Sequence, residues 1–241
     1  MKYKKGNLLY EGKAKKIFEV EGHPELLWQE FKNSLTAFNG VKKGEFDVKG
    51  SVNRDICATI YKYLGTHGIA SHMVENIDNN VMITQKLKMV PLEVVVRNRV
   101  AGSLKKKLNL PEGQAIEPSL VEFYYKNDEL NDPFISDDHI LMLKLLDKNQ
   151  IESLKKTALA VNTHLKDFFR KIDIDLIDFK IEFGQKPNGE LMLADEISPD
   201  SCRLWDMKTK EKLDKDRFRY DLGDVKTGYV EIANRIQKSH S

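Results

Sequence analysis

The sequence predicts a chain that mixes antiparallel strands with amphipathic helices, and three stretches carry that reading. From Ile177 to Phe183, the apolar residues Ile177, Phe179, Ile181 and Phe183 alternate strictly with Asp178, Lys180 and Glu182. That is the period-two signature of a strand with one buried face. From Asp147 to Ile172, Ile151, Leu154, Ala158, Val161, Leu165, Phe168 and Ile172 recur three and four apart, which makes a helix with a core stripe. Short apolar runs at 7–10, 14–20 and 26–32 are separated by Gly12 and by Gly22-His23-Pro24, as at the opening of an antiparallel sheet.

Length and composition narrow the class. The 241 residues allow one large domain or two small ones. A hydrophobic content of 41% and a charged content of 32% are those of an ordinary globular protein. The 39 basic and 37 acidic residues leave a net charge of +2, too even for the basic excess of a nucleic-acid surface. Cys57 and Cys202 have no CxxC spacing, which fits a reducing cytosol. No apolar run has the length of a signal peptide or a membrane span, so a cytoplasmic protein without a membrane partner is expected.

The chemistry concentrates in 176–206. Turn residues Gly184, Pro187, Asn188 and Gly189 separate the alternating strand from a second one over 191–197. With a loop over 184–189, Phe183 faces Glu190, and one face gathers Asp178, Lys180, Glu182, Leu191, Leu193 and Asp195. Such a face is either a solvated exterior or an apolar floor with acids set into it. As a floor, its carboxylates from adjacent strands offer the hard oxygens that Mg²⁺ takes. Downstream, Ser198, Asp200, Ser201 and Arg203 read as a loop carrying hydroxyls, an acid and a guanidinium.

Elsewhere the signals are weaker. Gly12-Lys13-Ala14-Lys15-Lys16 matches neither a Walker A nor a dinucleotide fingerprint. It reads as a solvated turn or as a turn that cradles phosphates. Residues 34–50 read as an exposed, turn-rich loop, and Ser51 as the N-cap of a helix ending near Gly65. Strands are expected at 81–88, 92–97 and 119–126, with a domain boundary near Pro91 and a polar loop at 127–133. Arg97, Arg99 and Ser103 before a basic helix over 104–108 make either a phosphate pocket or an N-cap serine among surface arginines. The dense charges of 208–220 put Lys215, Arg217 and Arg219 in reach of an anion, or in solvent, before an amphipathic helix at 224–239. No histidine–cysteine cluster suggests zinc, and no GxSxG elbow supports a serine hydrolase.

MVPLEVVVRNRVAGS (89–103), LIDFKIEFG (176–184) and DEISPDSCRLWD (195–206), with YEGKAKKIF (10–18), FDVKGSVN (46–53) and DKDRFR (214–219) in the same order, closely resemble the segments of the SAICAR synthetase family of purine biosynthesis. The resemblance implies an α/β (α+β) chain. An N-terminal ATP-binding domain over 1–88, like a kinase small lobe, would meet a larger domain over 89–241, with the active site in the cleft between them. It implies ATP-dependent joining of the carboxylate of carboxyaminoimidazole ribonucleotide (CAIR) to the amine of L-aspartate, through an acyl phosphate and with Mg²⁺.

Carried over by position, Lys13, Ala14 and Lys15 would hold the ATP phosphates and Ile17 would pack on the adenine. The backbone of Gln85 and Leu87 would read the adenine edge, and Lys126 would approach the ribose and phosphates. Glu182 and Asp195 would hold Mg²⁺, with Lys13 and Lys180 beside them in the catalytic set. Arg97, Ser103, Asp178, Lys180, Asp200 and Arg203 would bind the ribonucleotide, with Lys215 and Arg219 closing over it. Asn39 stands where members often carry an acid, and Cys202 reads as packing. Members are commonly homodimers, so a homodimer is implied. A small-molecule kinase would instead need no aspartate, and a nucleic-acid binder using 105–107 and 208–219 would bind with a steep salt dependence.

Overall fold

The computed structural model describes residues 2–37, 40–78 and 80–239; Asn39 lies outside them. The early apolar runs form β1 (Lys5–Glu11), β2 (Lys15–Val20) and β3 (Leu26–Phe31). Phe18 lies opposite Trp28, and Trp28 opposite Ile83 on a later strand. That row builds a small apolar cluster with Tyr3, Val20 and Val81 on one face of the sheet.

The described residues of 34–50 are only in part the exposed loop that their glycines and lysines suggest, with Val41, Lys43, Glu45, Asp47 and Val48 exposed. They form a hairpin, β4 (Ser34–Ala37) with β5 (Lys42–Glu45), followed by the start of α1 (Lys49–Thr66). Leu35, Ala37, Lys49 and Gly50 are buried. Gly50 is required there, because a Cβ would stand 2.3 Å from the Phe31 carbonyl oxygen. Val48, with φ 65°, caps α1; Ser51 sits inside the first turn and donates its hydroxyl to the Val48 carbonyl at 2.8 Å.

β6 (Met73–Asp78), unmarked by alternation, and β7 (Val81–Gln85) complete a five-stranded sheet in the order β1-β2-β3-β7-β6. After residues 86–87 the chain enters β8 (Lys88–Arg99), which opens the second sheet. α2 (Gly102–Leu108), β9 (Ala115–Tyr125), β10 (Phe134–Ile135) and α3 (Asp137–Met142) follow. α4 (Lys148–Arg170) starts at a capping box in which Asp147 and Gln150 exchange side-chain and backbone bonds of 2.8 and 3.0 Å. Its stripe packs on the sheet, and fully burying a leucine such as Leu165 stabilises the fold by about 2 kcal/mol.

β11 (Ile174–Gln185), β12 (Leu191–Ala194) and β13 (Cys202–Asp206) finish the sheet. Its order is β10-β9-β8-β11-β12, with β13 also on β11. β13 takes up part of the stretch expected as loop. The charges of 208–220 include the buried Asp214, Asp216 and Arg217 around α5 (Asp216–Arg219), so only the ends of this run, 208–211 and 220, are solvated. α6 (Val225–Ser239) packs against α1. The largest core cluster runs from Phe31, α1 and Met82 into α4, α6 and the second sheet, joining both halves of the chain.

Candidate active site

The alternating strand β11 runs between β8 and its two other partners, so its charged face is buried. Asp178 is 3% and Glu182 1% exposed, which rules out the solvated exterior. The hairpin register differs from the expected one by three residues: Phe183 pairs with Leu193 and Glu182 with Ala194. β11 continues through Gly184 and Gln185, and the turn closes later, with Lys186 N–H donating to the Glu190 carbonyl. An odd shift swaps the two faces of the second strand. Leu191 and Leu193 therefore do not share the Glu182 face.

Asp195 reaches that face by another route. It takes φ 60° just past β12, a left-handed conformation that aspartate tolerates better than most residues. Its carboxylate then meets Lys180, whose ammonium bonds Glu182 at 2.6 Å and lies 3.3 Å from both Asp195 and Glu93. Lys126 adds a 2.6 Å bond to Glu182. Lys15 binds Asp195 and lies 3.4 Å from Glu196. Burial opposes all these charges, but the mutual pairing outweighs it. Asp195 is held far below the usual carboxylate range by Lys15, Lys180 and Lys126, and Lys180 well above the usual ammonium value by Glu182, Asp195 and Glu93.

A cation thus already bridges Glu182 and Asp195. Among the described residues no group of three or more His, Cys, Asp and Glu is gathered for a metal. A two-carboxylate donor set fits Mg²⁺, which takes one or two carboxylates and completes its shell with phosphate and water.

Beside this cluster opens a cavity of about 530 Å³, lined by Lys13, Arg97, Ser103, Asp178, Lys180, Asp200, Arg203, Lys215 and Arg219 among others. Nine of the expected residues therefore share one wall. Asp178 holds two guanidinium groups, Arg97 at 2.9 Å and Arg203 at 2.9 and 3.1 Å. Arg97 also donates to Glu122 at 2.6 Å, to Ser103 at 3.1 Å and to the Tyr124 hydroxyl at 3.3 Å. Ser103 is therefore no N-cap, since Ala101 holds that position. Gly102, at φ 53°, leaves room for the Arg203 guanidinium, which a Cβ would approach to 2.4 Å. Arg203 and Arg219 both bind Asp216, at 2.9 and 2.5 Å.

Asp200 is committed within the protein. Its Oδ2 accepts from Lys49 at 2.5 Å and Asn53 at 3.0 Å, and its Oδ1 from the Tyr229 hydroxyl at 2.6 Å. Burial works against its charge, yet Lys49 and Lys215 hold its carboxyl well below the usual range. Lys215 faces the same cavity with its ammonium free of ion pairs and side-chain hydrogen bonds among the described residues.

The residues expected around a nucleotide are more dispersed. Lys13 is exposed on the β1–β2 turn, 3.0 Å from Asp128. The Ala14 carbonyl accepts from the Lys32 N–H, and Ile17 is half-buried on the face opposite Phe18. The Gln85 N–H donates to the His72 carbonyl at 2.8 Å. Leu87 lies in the connection between the two sheets, packed against Gly184. Burial pushes the Cys57 thiol up to about 12 and raises Cys202 further, which makes both poor nucleophiles. Sequence reasoning missed Lys49, Glu93, Glu122 and Tyr229. Lys49 and Glu122 sat in stretches that looked like solvated turn and strand, and only their tertiary partners single them out.

Two arginines sharing one buried acid, beside carboxylates bridged by lysines, define an enzyme cleft for small anionic substrates. A family model described as SAICAR synthetase matches residues 8–236. The phosphoribosylaminoimidazole-succinocarboxamide synthase of a Nitratiruptor species is 51% identical over 236 residues, 98% of each chain. A solved SAICAR synthetase in complex with ADP superposes with a TM-score of 0.91 at 50% identity, covering 94% of this chain and 96% of its own. The enzyme from Ehrlichia chaffeensis gives 0.94 at 40% identity, with coverage of 96% and 98%. The chain belongs to the SAICAR synthetase family.

Proposed function

We propose that the chain is an ATP-dependent ligase of purine biosynthesis that joins the carboxylate of CAIR to the amine of L-aspartate, giving SAICAR, ADP and phosphate. The observation that carries this reading is the juxtaposition of the arginine-walled cavity with the Glu182–Lys180–Asp195 cluster. A carboxylate is a poor electrophile until a phosphoryl group is placed on it, so a site for an anionic ribonucleotide must adjoin a site for the ATP γ-phosphate.

In this scheme Arg97, Arg203, Lys215 and Arg219 draw the anionic groups of CAIR into the cavity. Ser103 offers its hydroxyl beside them. Asp178 fixes the two guanidinium groups in register, so little ordering remains when substrate arrives. The exposed Lys13 closes on the ATP phosphates from the β1–β2 turn, with Ala14 and Ile17 lining the nucleotide and Leu87 supplying backbone contacts at the connection between the sheets. Lys15 acts differently from the other lysines, by holding Asp195 in place. Glu182 and Asp195, paired here with Lys126 and Lys180, would hold Mg²⁺, which would offset negative charge during phosphoryl transfer. The nucleotide-handling part is assigned to 1–88 and the rest to 89–241, in a cytoplasmic homodimer without a nucleic-acid partner. No helix is long and apolar enough to cross a membrane among the described residues.

The test is ADP release by the purified chain with Mg-ATP, CAIR and L-aspartate, each omitted in turn. Release is expected to be fast only with all three present. A stable phosphorylated product formed without aspartate would point to a kinase instead.

A further inference from the structure

Lys215 is a lysine in the cavity wall with a carboxylate near it, Asp200, and among the described residues still no ion pair. The ordinary outcome for such a pair is a salt bridge, which would spend the ammonium inside the protein. Here Asp200 is already engaged through both oxygens, by Lys49 from the first turn of α1, Asn53 one turn later and Tyr229 from α6. A carboxylate offers about four lone-pair sites, and three are taken by donors locked in the core. Lys49, Asn53 and Tyr229 are each 0–1% exposed, so these bonds exclude water and hold their geometry.

We infer that Lys49, Asn53 and Tyr229 are positioning residues for ribonucleotide binding: by engaging both oxygens of Asp200 they leave the Lys215 ammonium without an ion-pair partner among the described residues and available to the anionic substrate. This rests on the ligase reading of the cavity. Burial also disfavours the Lys215 charge, only partly offset by Asp200, so an incoming phosphate or carboxylate supplies the counter-charge that the protein withholds. The arrangement places a residue of the C-terminal helix, far from the β1–β2 turn in sequence, in control of affinity for one substrate only.

Tyr229→Phe tests it, since it removes a single hydroxyl and frees Asp200 Oδ1 to turn toward Lys215. Initial rates are measured against CAIR and against ATP, with the thermal midpoint alongside. KM for CAIR is expected to rise about three- to tenfold, the partial loss of one charge-assisted contact. Both kcat and KM for ATP are expected to stay within about twofold, since neither the carboxylate cluster nor the lysine turn is touched. An unchanged or lowered KM for CAIR overturns the inference, the latter because it would mean that Asp200 itself contacts substrate. A parallel loss of kcat and both affinities overturns it too, as a general structural defect. Should the phenylalanine variant not fold, Asn53→Ala, which removes one of the two bonds to Oδ2 and leaves that of Lys49, is expected to give the same split. Wild-type enzyme run in the same assay separates the two levels: no CAIR-dependent turnover there refutes the ligase reading, whereas normal wild-type turnover with an unmoved variant refutes the positioning role alone.

Discussion

Lys15 separates two ways of using a lysine near a nucleotide. If it touches ATP phosphates, Lys15→Met should raise KM for ATP and leave stability alone. The structure places its ammonium between Asp195 and Glu196, with the side chain 12% exposed. Removing it leaves Asp195 with Lys180 at 3.3 Å and Glu196 with the Ser198 hydroxyl at 3.0 Å. Breaking a buried ion pair from one side costs about 3–5 kcal/mol. Because Asp195 keeps one cation and its side chain is 19% exposed, the lower end applies, about 3 kcal/mol. For a chain of this size each kcal/mol moves Tm by about 2–4 °C, so a fall of about 6–12 °C is expected. Scanning calorimetry or a dye-based melt reads it, with kcat falling as well because Asp195 loses its fixed orientation. A Tm within about 2 °C of wild type, with KM for ATP raised, would refute the carboxylate-holding role.

Three further outcomes follow from the same geometry. Glu182→Gln keeps shape but removes a charge from the bridged pair, and kcat is expected to fall by about 10² or more in steady-state assays; near-normal turnover would take Glu182 out of the reaction. Gly50→Ala brings a Cβ within 2.3 Å of a backbone oxygen that cannot move aside, so urea unfolding is expected to show a loss of about 1–3 kcal/mol. Burial, with the Asp216 carboxylate beside it, raises Asp214 from 3.8 to about 7. Between those values the unfolded chain loses this proton while the folded one keeps it. The group's stabilisation is therefore complete below about pH 4 and lost as pH rises through 7. Asp214→Asn is expected to flatten that part of the stability–pH curve, measured against wild type by chemical denaturation.

Local pattern was enough for the elements whose apolar period is regular. The stripe from Ile151 to Phe168 made α4, and the alternation over 177–183 made β11, because each pattern matches one backbone geometry and one buried face. The motif segments also named in advance nine residues that meet in one cavity. Residues 34–50 misled in part, since glycine and lysine mark turns whether or not the strand and helix start beside them are later buried. The hairpin register was beyond reach as well, because a strand's end depends on which neighbour continues to bond it, and here β8 carries β11 on through Gln185.

The sequence by itself determined much of the composition of the site, the carboxylates, arginines and lysines of its motif segments, but not the parts played by Lys49, Glu93 and Glu122. Tertiary structure alone decided how each charge is spent. Lys15 and Lys49 are consumed by Asp195 and Asp200, while Lys215 is left to the cavity. The reason is physical: a lysine's role follows from the nearest carboxylate and the burial of both, and those distances are set by contacts between segments more than a hundred residues apart.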